Sequence, residues 1–507
     1  MNFISRPVVS KVKLLASNTL FNLINTLFAG VFGIATSIIV ARSLGAVQLG
    51  EYSYILWLIG ILTLFVNAGL PMVVAKYVAE YIGRNDIATA KNIFTVILKL
   101  ELAVSCIISS LVAYLSLFLT KDVARKELLI LSSINIIPIV LARIYSAAAT
   151  GLQKYQTLII ASLISSPIQF LLIVFTLLAH HNVAGLIVAN IIGSVLNLAI
   201  LWYFIKNEFN RFDSLAMQGI PVQVTRLDTF LKKRIAKYSL SVSGIIIIDA
   251  IVWQKSEIFF LERFSPPEEI AFYSLAFTIG YMAMQIPGIF SSLLIPYFSG
   301  IYGQGYKPGL KKGYIHSTRY LALIAFPIGI GGAILSAPLI ELVYGSEYRN
   351  AAIPAQIILV FNSFGAVSRA SSAILYGTEE QGFILKWGSI IAIFNIFLNL
   401  ILIPKYGATG AAIANSSAQM AGVVGGAAYV NNEFGIDYPS KSVLKIFISS
   451  IVMGIGMYSV TSLFNGYRSL LLSISLSPFI YLVSLWFIGA IDAEDRRLIY
   501  TLLGKNE

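Results

Sequence analysis

Along the chain, long apolar runs alternate with short polar segments. Crossing about 30 Å of hydrocarbon takes roughly 20 residues of helix. Fourteen runs meet that length, near 14–41, 52–78, 92–119, 128–150, 155–179, 183–205, 238–261, 270–299, 315–340, 351–376, 382–403, 408–430, 443–464 and 468–490. The pattern predicts an all-α polytopic membrane protein. Pro138, Pro167, Pro287, Pro327 and Pro354 fall inside the runs, where proline is tolerated and marks kinks. The first run is too long and too rich in asparagine for a signal-peptide core and reads as a retained span.

Composition agrees with lipid as the main solvent. The 507 residues are 57% hydrophobic and 12% charged, against about 25% charged in a soluble domain. With the N-terminus placed in the cytoplasm, twenty-four of the 36 Lys and Arg fall on that side and eight on the other. The positive-inside bias therefore puts both termini in the cytoplasm. The bias accounts for the net charge of +12 without nucleic acid. Cys106 stands alone in an apolar run, and His180, His181 and His316 lie at or near segment ends. Neither a metal-ligand spacing nor a catalytic triad is present.

The chain repeats itself. ARSLGAVQLGEYS (41–53) lines up with ERFSPPEEIAFYS (262–274), pairing Arg42 with Arg263 and Tyr52 with Tyr273 at an offset of 221. VAGLIVAN (183–190) lines up with ATGAAIAN (408–415) at 225, Arg143 pairs with Arg369 at 226, and Lys99 with Arg319 at 220. Slowly drifting offsets are what small loop insertions produce. The repeat unit is six spans in parallel orientation, which gives an N-terminal lobe over 1–205, a basic cytoplasmic connection over 206–237, a C-terminal lobe over 238–430, and a transmembrane hairpin with a tail over 431–507.

Two six-span lobes plus a hairpin, with ARSLGAVQLGEYS, SEIFFLERFSPPEEIAFYSLAF (256–277) and LILIPKYGATGAAIAN (400–415) in that order, resemble the multidrug/oligosaccharidyl-lipid/polysaccharide exporter superfamily. Within it the chain is most similar to the polysaccharide-unit flippases. The resemblance implies a central cavity between the lobes and alternating access for polyprenyl-(pyro)phosphate-linked oligosaccharides. Implied with it are a place in the cell membrane, no covalent catalysis and no resident cofactor. H⁺ or Na⁺ coupling and glycosyltransferases of one pathway as partners are further expectations. Glu257 stands where the family often carries Asp.

The charged residues inside spans fit that task. Arg143, Lys99 and Arg369 each lie seven or eight residues from a span's cytoplasmic end, a depth of about 12 Å, and Arg319 lies nearer to its own. All four are expected to bind phosphate, and Arg suits it through its planar, two-pronged fork. The bland alternative is snorkelling to the interface. Arg42 and Arg263 read as interfacial. Asn18, Asn22 and Asn25 form a stripe able to bond sugar hydroxyls or another helix. In the seventh span, Asp249, Trp253 and Glu257 follow one helical stripe. Asp249, Lys255 and Glu257 are the expected ion-coupling residues, with an internal ion pair as the alternative. Glu101 is expected to pair with another helix.

Rival readings are a multidrug or cation antiporter, a membrane glycosyltransferase or ligase, a scaffold, and a cell-wall lipid-precursor flippase. An antiporter of cationic drugs would want carboxylates in both lobes, and a membrane enzyme would want a sizeable external loop. A scaffold would not need buried charge at repeat-related places.

Overall fold

The computed structural model describes residues 8–84, 86–119, 122–179, 182–216, 229–252, 255–463 and 467–491; within these, residues 8–27, 119, 212–216, 241, 245, 252 and 467 are described by their backbone alone. The described chain is helical, without a strand. Lipid offers no water to backbone N–H and C=O groups, so a helix that satisfies them internally is the form an apolar run takes there.

In chain order the helices are α1 (Val8–Asn67), α2 (Leu70–Gly83), α3 (Ile87–Leu119), α4 (Val123–Ile134), α5 (Ile136–Gly151), α6 (Tyr155–Leu178), α7 (Val183–Ala216) and α8 (Thr229–Val252). They continue as α9 (Glu257–Phe264), α10 (Pro267–Ala283), α11 (Gln285–Ser292), α12 (Leu294–Gly303) and α13 (Lys307–Val343). A 3₁₀ turn (Ser346–Ala351) precedes α14 (Ala352–Gly377), α15 (Gln381–Phe434), α16 (Ser440–Leu463) and α17 (Tyr467–Ile488).

Among the described residues, eleven helical segments are long and apolar enough to cross a membrane. Two of them hold two expected spans each. α1 is interrupted at Gly45 (φ 76°) and α15 at Gly407 (φ 51°), a left-handed region that glycine enters without penalty. α15 folds back there, because Asn395 and Asn415 donate to the same carboxylate oxygen. Twenty residues of straight helix would hold them about 30 Å apart.

The remaining expected span, the seventh, is not one helix. α8 ends at Val252 and α9 begins at Glu257, with Lys255 at φ 26° in the gap. The continuous stripe through Asp249 and Glu257 is therefore broken, and Trp253 lies outside the described residues. Other breaks trace to proline, which lacks an N–H and crowds the preceding turn. Asn135, Met284 and Leu293, where α4 gives way to α5, α10 to α11 and α11 to α12, stand three residues before Pro138, Pro287 and Pro296. Pro167 and Pro327 sit inside α6 and α13.

The chain forms two compact units, Met1–Ile247 and Ile248–Glu507, the division falling inside α8. Unit 1 packs α2, α3 and α5 through Val73, Tyr77, Ile93, Ile97 and Ile144. α8 is seated on it by Ser239, whose hydroxyl donates to the Ala68 carbonyl at 2.6 Å, and by Arg234 against Glu80 at 3.0 Å. In unit 2, Phe326, Phe364 and Phe447 meet with ring centroids 4.9–5.2 Å apart, joining α13, α14 and α16. Large apolar side chains such as Phe118, Leu178 and Phe487 remain 71–76% exposed, as lipid-facing residues are.

A β-carbon at Gly410 would collide with the Leu402 carbonyl across the α15 turn. Gly410→Ala should cost about 1–3 kcal/mol, read as a lower melting temperature of the detergent-solubilised protein, whereas Gly382→Ala, with open space around it, should not lower it.

Candidate functional site

The best-formed polar cluster lies in unit 2. The helix break before α9 starts that helix at Glu257, whose side chain is fully buried. Three neutral donors converge on its carboxylate. The Tyr273 hydroxyl of α10 donates to Oε2 at 2.7 Å. The Asn395 and Asn415 amides, one from each arm of α15, donate to Oε1 at 3.1 Å each. Around them stand Asn399, which donates to Asn395 Oδ1 at 2.9 Å, and Gln419, which donates to Asn415 Oδ1 at 2.6 Å. Asn399 Oδ1 is buried and accepts no hydrogen bond among the described residues. Ser256 donates to the Ile251 carbonyl at 2.7 Å and lies 3.4 Å from Asn395 Oδ1.

Fixed amide and hydroxyl donors around one carboxylate can hold its negative charge. The oxygens left to accept, those of the carboxylate itself, Ser256 and Asn399 Oδ1, are hard ligands of the kind that suits a proton or a small hard cation. Lys255 does not neutralise it. Its ammonium lies 3.4 Å from the Ser274 carbonyl and from Thr278 Oγ1, over the Phe277 ring at 5.3 Å. Asp249 is half-buried near the end of α8, apart from the bonds just described. Among the described residues no three His, Cys, Asp or Glu side chains gather as a metal site.

Unit 1 carries the same frame without the acid. Asn190 donates to the Tyr52 hydroxyl at 2.7 Å, and Gln169 donates to Asn190 Oδ1 at 2.8 Å. Tyr52, Gln169 and Asn190 precede Tyr273, Asn395 and Asn415 by 221, 226 and 225 residues, the same series of offsets as the sequence repeat. The residue 221 before Glu257 is Thr36. It lies one turn after Phe32, whose ring contacts Phe170 beside Gln169. The structural repeat is thus closer than the sequence matches alone reveal, and the carboxylate is the element that differs.

The other expected residues are placed as follows. Arg143 on α5 and Lys99 on α3 are exposed, and Arg369 on α14 is half-buried, with its Nη1 lying against Gly288. Arg319 departs from expectation. It is 2% exposed and donates to the Ala490 carbonyl at 3.2 Å, just past the end of α17. Carbonyls at a helix end lack intrahelical donors, and Arg319 supplies one, as Lys445 does for Gly489 at 3.1 Å. This cation ties α13 to the end of the hairpin. The side chains of Asn18, Asn22 and Asn25 lie outside the described residues, as do His180 and His181.

A duplicated helical frame with a single buried acid, in a chain of membrane-length helices, defines a two-unit polytopic membrane protein. A family model described as "Polysaccharide biosynthesis protein" matches residues 39–353, and the chain belongs to that family. A second model, described as "Lipid II flippase MurJ", matches residues 258–482. The chain is 31% identical over 141 residues to an uncharacterized membrane protein of Methanocaldococcus jannaschii, covering 27% of this chain and 26% of that one. It is 22% identical over 258 residues to a Haloferax volcanii protein described as "Probable low-salt glycan biosynthesis flippase", covering 48% and 55%. The matches thus span about a quarter to about half of these relatives' length. Among solved structures, a lipid II flippase MurJ in an inward closed conformation aligns with a TM-score of 0.71 at 18% identity, covering 96% of this chain and 99% of that one.

Sequence reasoning had Tyr273 and Asn415 as repeat matches but did not bring Asn395, Asn399 and Gln419 into the site. The available signal was a pair of i, i+4 amide spacings, 395/399 and 415/419, inside apolar runs. Glu257→Ala should strand the Tyr273 hydroxyl and two amides, costing on the order of 3 kcal/mol. Glu257→Gln, which keeps an acceptor, should cost clearly less, and melting curves of the two variants in one detergent decide it.

Proposed function

We propose that this protein is a flippase moving polyprenyl-(pyro)phosphate-linked oligosaccharide units across the cell membrane by alternating access, for polysaccharide or glycan biosynthesis. Membership of the polysaccharide biosynthesis family carries the reading, and the glycan flippase relative supports it. The physical task is to replace the water around an anionic, sugar-bearing head group while its lipid tail stays in the bilayer. Arg143 and Arg369, at repeat-equivalent positions, are the side chains suited to grip the phosphates, with Lys99 as an accessory cation. The protein makes and breaks no covalent bond in this scheme. Its termini lie in the cytoplasm, where glycosyltransferases build the substrate.

Cation coupling falls to Glu257. The residues present fit H⁺ or Na⁺: a carboxylate, an amide oxygen to spare on Asn399 and a serine hydroxyl. Binding there would change the charge of the cluster that clamps α9 to both arms of α15. Asp249 and Lys255 flank the helix break and would tune its geometry.

A lipid-linked cell-wall precursor is the second substrate reading, favoured by the lipid II flippase model over residues 258–482. The same assay with two head groups decides between them. Purified protein in vesicles should translocate lipid-linked oligosaccharide without altering it chemically; a cleaved or extended glycan would move it to the enzymes. Arg143→Lys and Arg369→Lys should each slow translocation, because charge survives but the two-pronged fork does not. The Ala variants should be slower still. Wild-type rates in both Lys variants, at equal protein abundance, would leave the arginines as anchors. Glu257→Gln should abolish any dependence of the rate on a Na⁺ or H⁺ gradient.

A further inference from the structure

Unit 1 contains a second buried acid that none of this chemistry uses. Glu101, midway along α3, is fully buried, and so is Ser105 one turn further on. Neither carboxyl oxygen of Glu101 has a hydrogen-bond partner among the described residues. Below it, Ile93, Phe94 and Ile97 pack with Ile144 and Tyr145; above it, Val104 and Ile108 pack with Ile136 and Val140. Glu101 therefore stands between two apolar clusters that join α3 to α5.

The helices packed against α3 are α1, α2, α4 and α5, with α7 touching it where Phe209 stacks on Phe94, and their described charged and titratable groups are engaged or directed elsewhere. On α7, Glu208 pairs with Lys154, Lys206 lies over the Trp202 ring, and Tyr203 and Arg211 are exposed. On α1, Tyr52 bonds Asn190, Tyr54 lies beneath Arg125 of α4, and Arg42 and Glu51 lie to either side of the Gly45 break. On α2, Lys76 sits over the Tyr238 ring, Glu80 pairs with Arg84 and Arg234, and Tyr77 and Tyr81 face those arginines. On α4, Lys126 and Glu127 occupy the first turns with Arg125. On α5, Arg143 is exposed and Tyr145 lies against Phe94. On α3 itself Lys99 is exposed, and Lys91 lies in the second turn. None of them bonds to Glu101.

An ionised carboxylate cannot be held in such a place, because nothing offsets its lost hydration. A neutral carboxyl can, and it brings a donor to surroundings short of one. Asn67 Oδ1 and Asn135 Oδ1, on the helices around α3, are also buried and accept nothing among the described residues. Both mark helix breaks. Asn67 precedes Ala68 (φ 40°) and Gly69 (φ 73°) between α1 and α2, and Asn135 separates α4 from α5.

We propose that Glu101 is a proton-exchange site of unit 1. It carries its proton while α3 is packed against α5, and releases it to water when the helices hinge apart at Asn67–Gly69 and Asn135. The proposal does not depend on the sugar-transport reading or on Glu257. Proton loss stabilises the opened form, so rising pH should loosen α3.

The test uses the full chain in lipid nanodiscs. Infrared spectra should contain a protonated-carboxyl C=O band that Glu101→Gln lacks and Glu257→Gln retains, and the band should fade as pH rises. Over the same range, hydrogen–deuterium exchange of α3 amides in wild type, divided by that in Glu101→Gln at each pH, should climb by up to about tenfold per pH unit. Glu101→Gln, a permanent mimic of the neutral acid, should hold α3 closed throughout. A band that persists unchanged to the highest pH at which the protein stays folded would overturn the proposal. So would a Glu101→Gln protein whose α3 exchange follows the wild-type pH profile.

Discussion

The hydrogen bonds to Glu257 organise unit 2. One side chain receives donors from α10 and from both arms of α15, so a single carboxylate determines how three helices meet. In a medium without water the bonds cannot be exchanged for solvent, and a polar group once buried there must find a fixed partner. The break between α8 and α9 serves the same end. It lets the chain bring Glu257 to the cluster while Lys255 turns away toward α10.

Much of the fold was legible because lipid imposes a length and an apolarity that any reader of the chain can measure. Thirteen of the fourteen expected spans overlap the membrane-length helices, the second running on into α2 and the eighth beginning in α10, with helix breaks placed three residues ahead of Pro138 and Pro287. The seventh span was harder, since an unwound turn at Lys255 leaves no proline or glycine as a marker. The site was half legible. Glu257 and its tyrosine lie in stretches that repeat across the chain. Asn395 and Asn415 are far apart in sequence, and only the reversal at Gly407 makes them neighbours.

Arg319 illustrates a different limit. The repeat aligned it with Lys99, and repeat arithmetic assigns like positions like surroundings. The appended hairpin breaks that equivalence. α17 covers α13 in unit 2, and the end of α17 needs a donor that Arg319 provides. An element outside the duplication can thus recruit a residue inside it for local structure. Glu101 fails the same way in reverse, since the expected partner on another helix does not exist among the described residues.

The acid-free frame of unit 1 has a bearing on how unit 2 can work. Tyr52, Gln169 and Asn190 bond to one another directly, so tyrosine and amides at these places hold their helices together with no carboxylate between them. The corresponding framework in unit 2 need not fail when its acid is neutralised. A centre proposed to gain and lose charge needs masonry that stands in both conditions, and the first half of the chain is an example of that masonry without the acid.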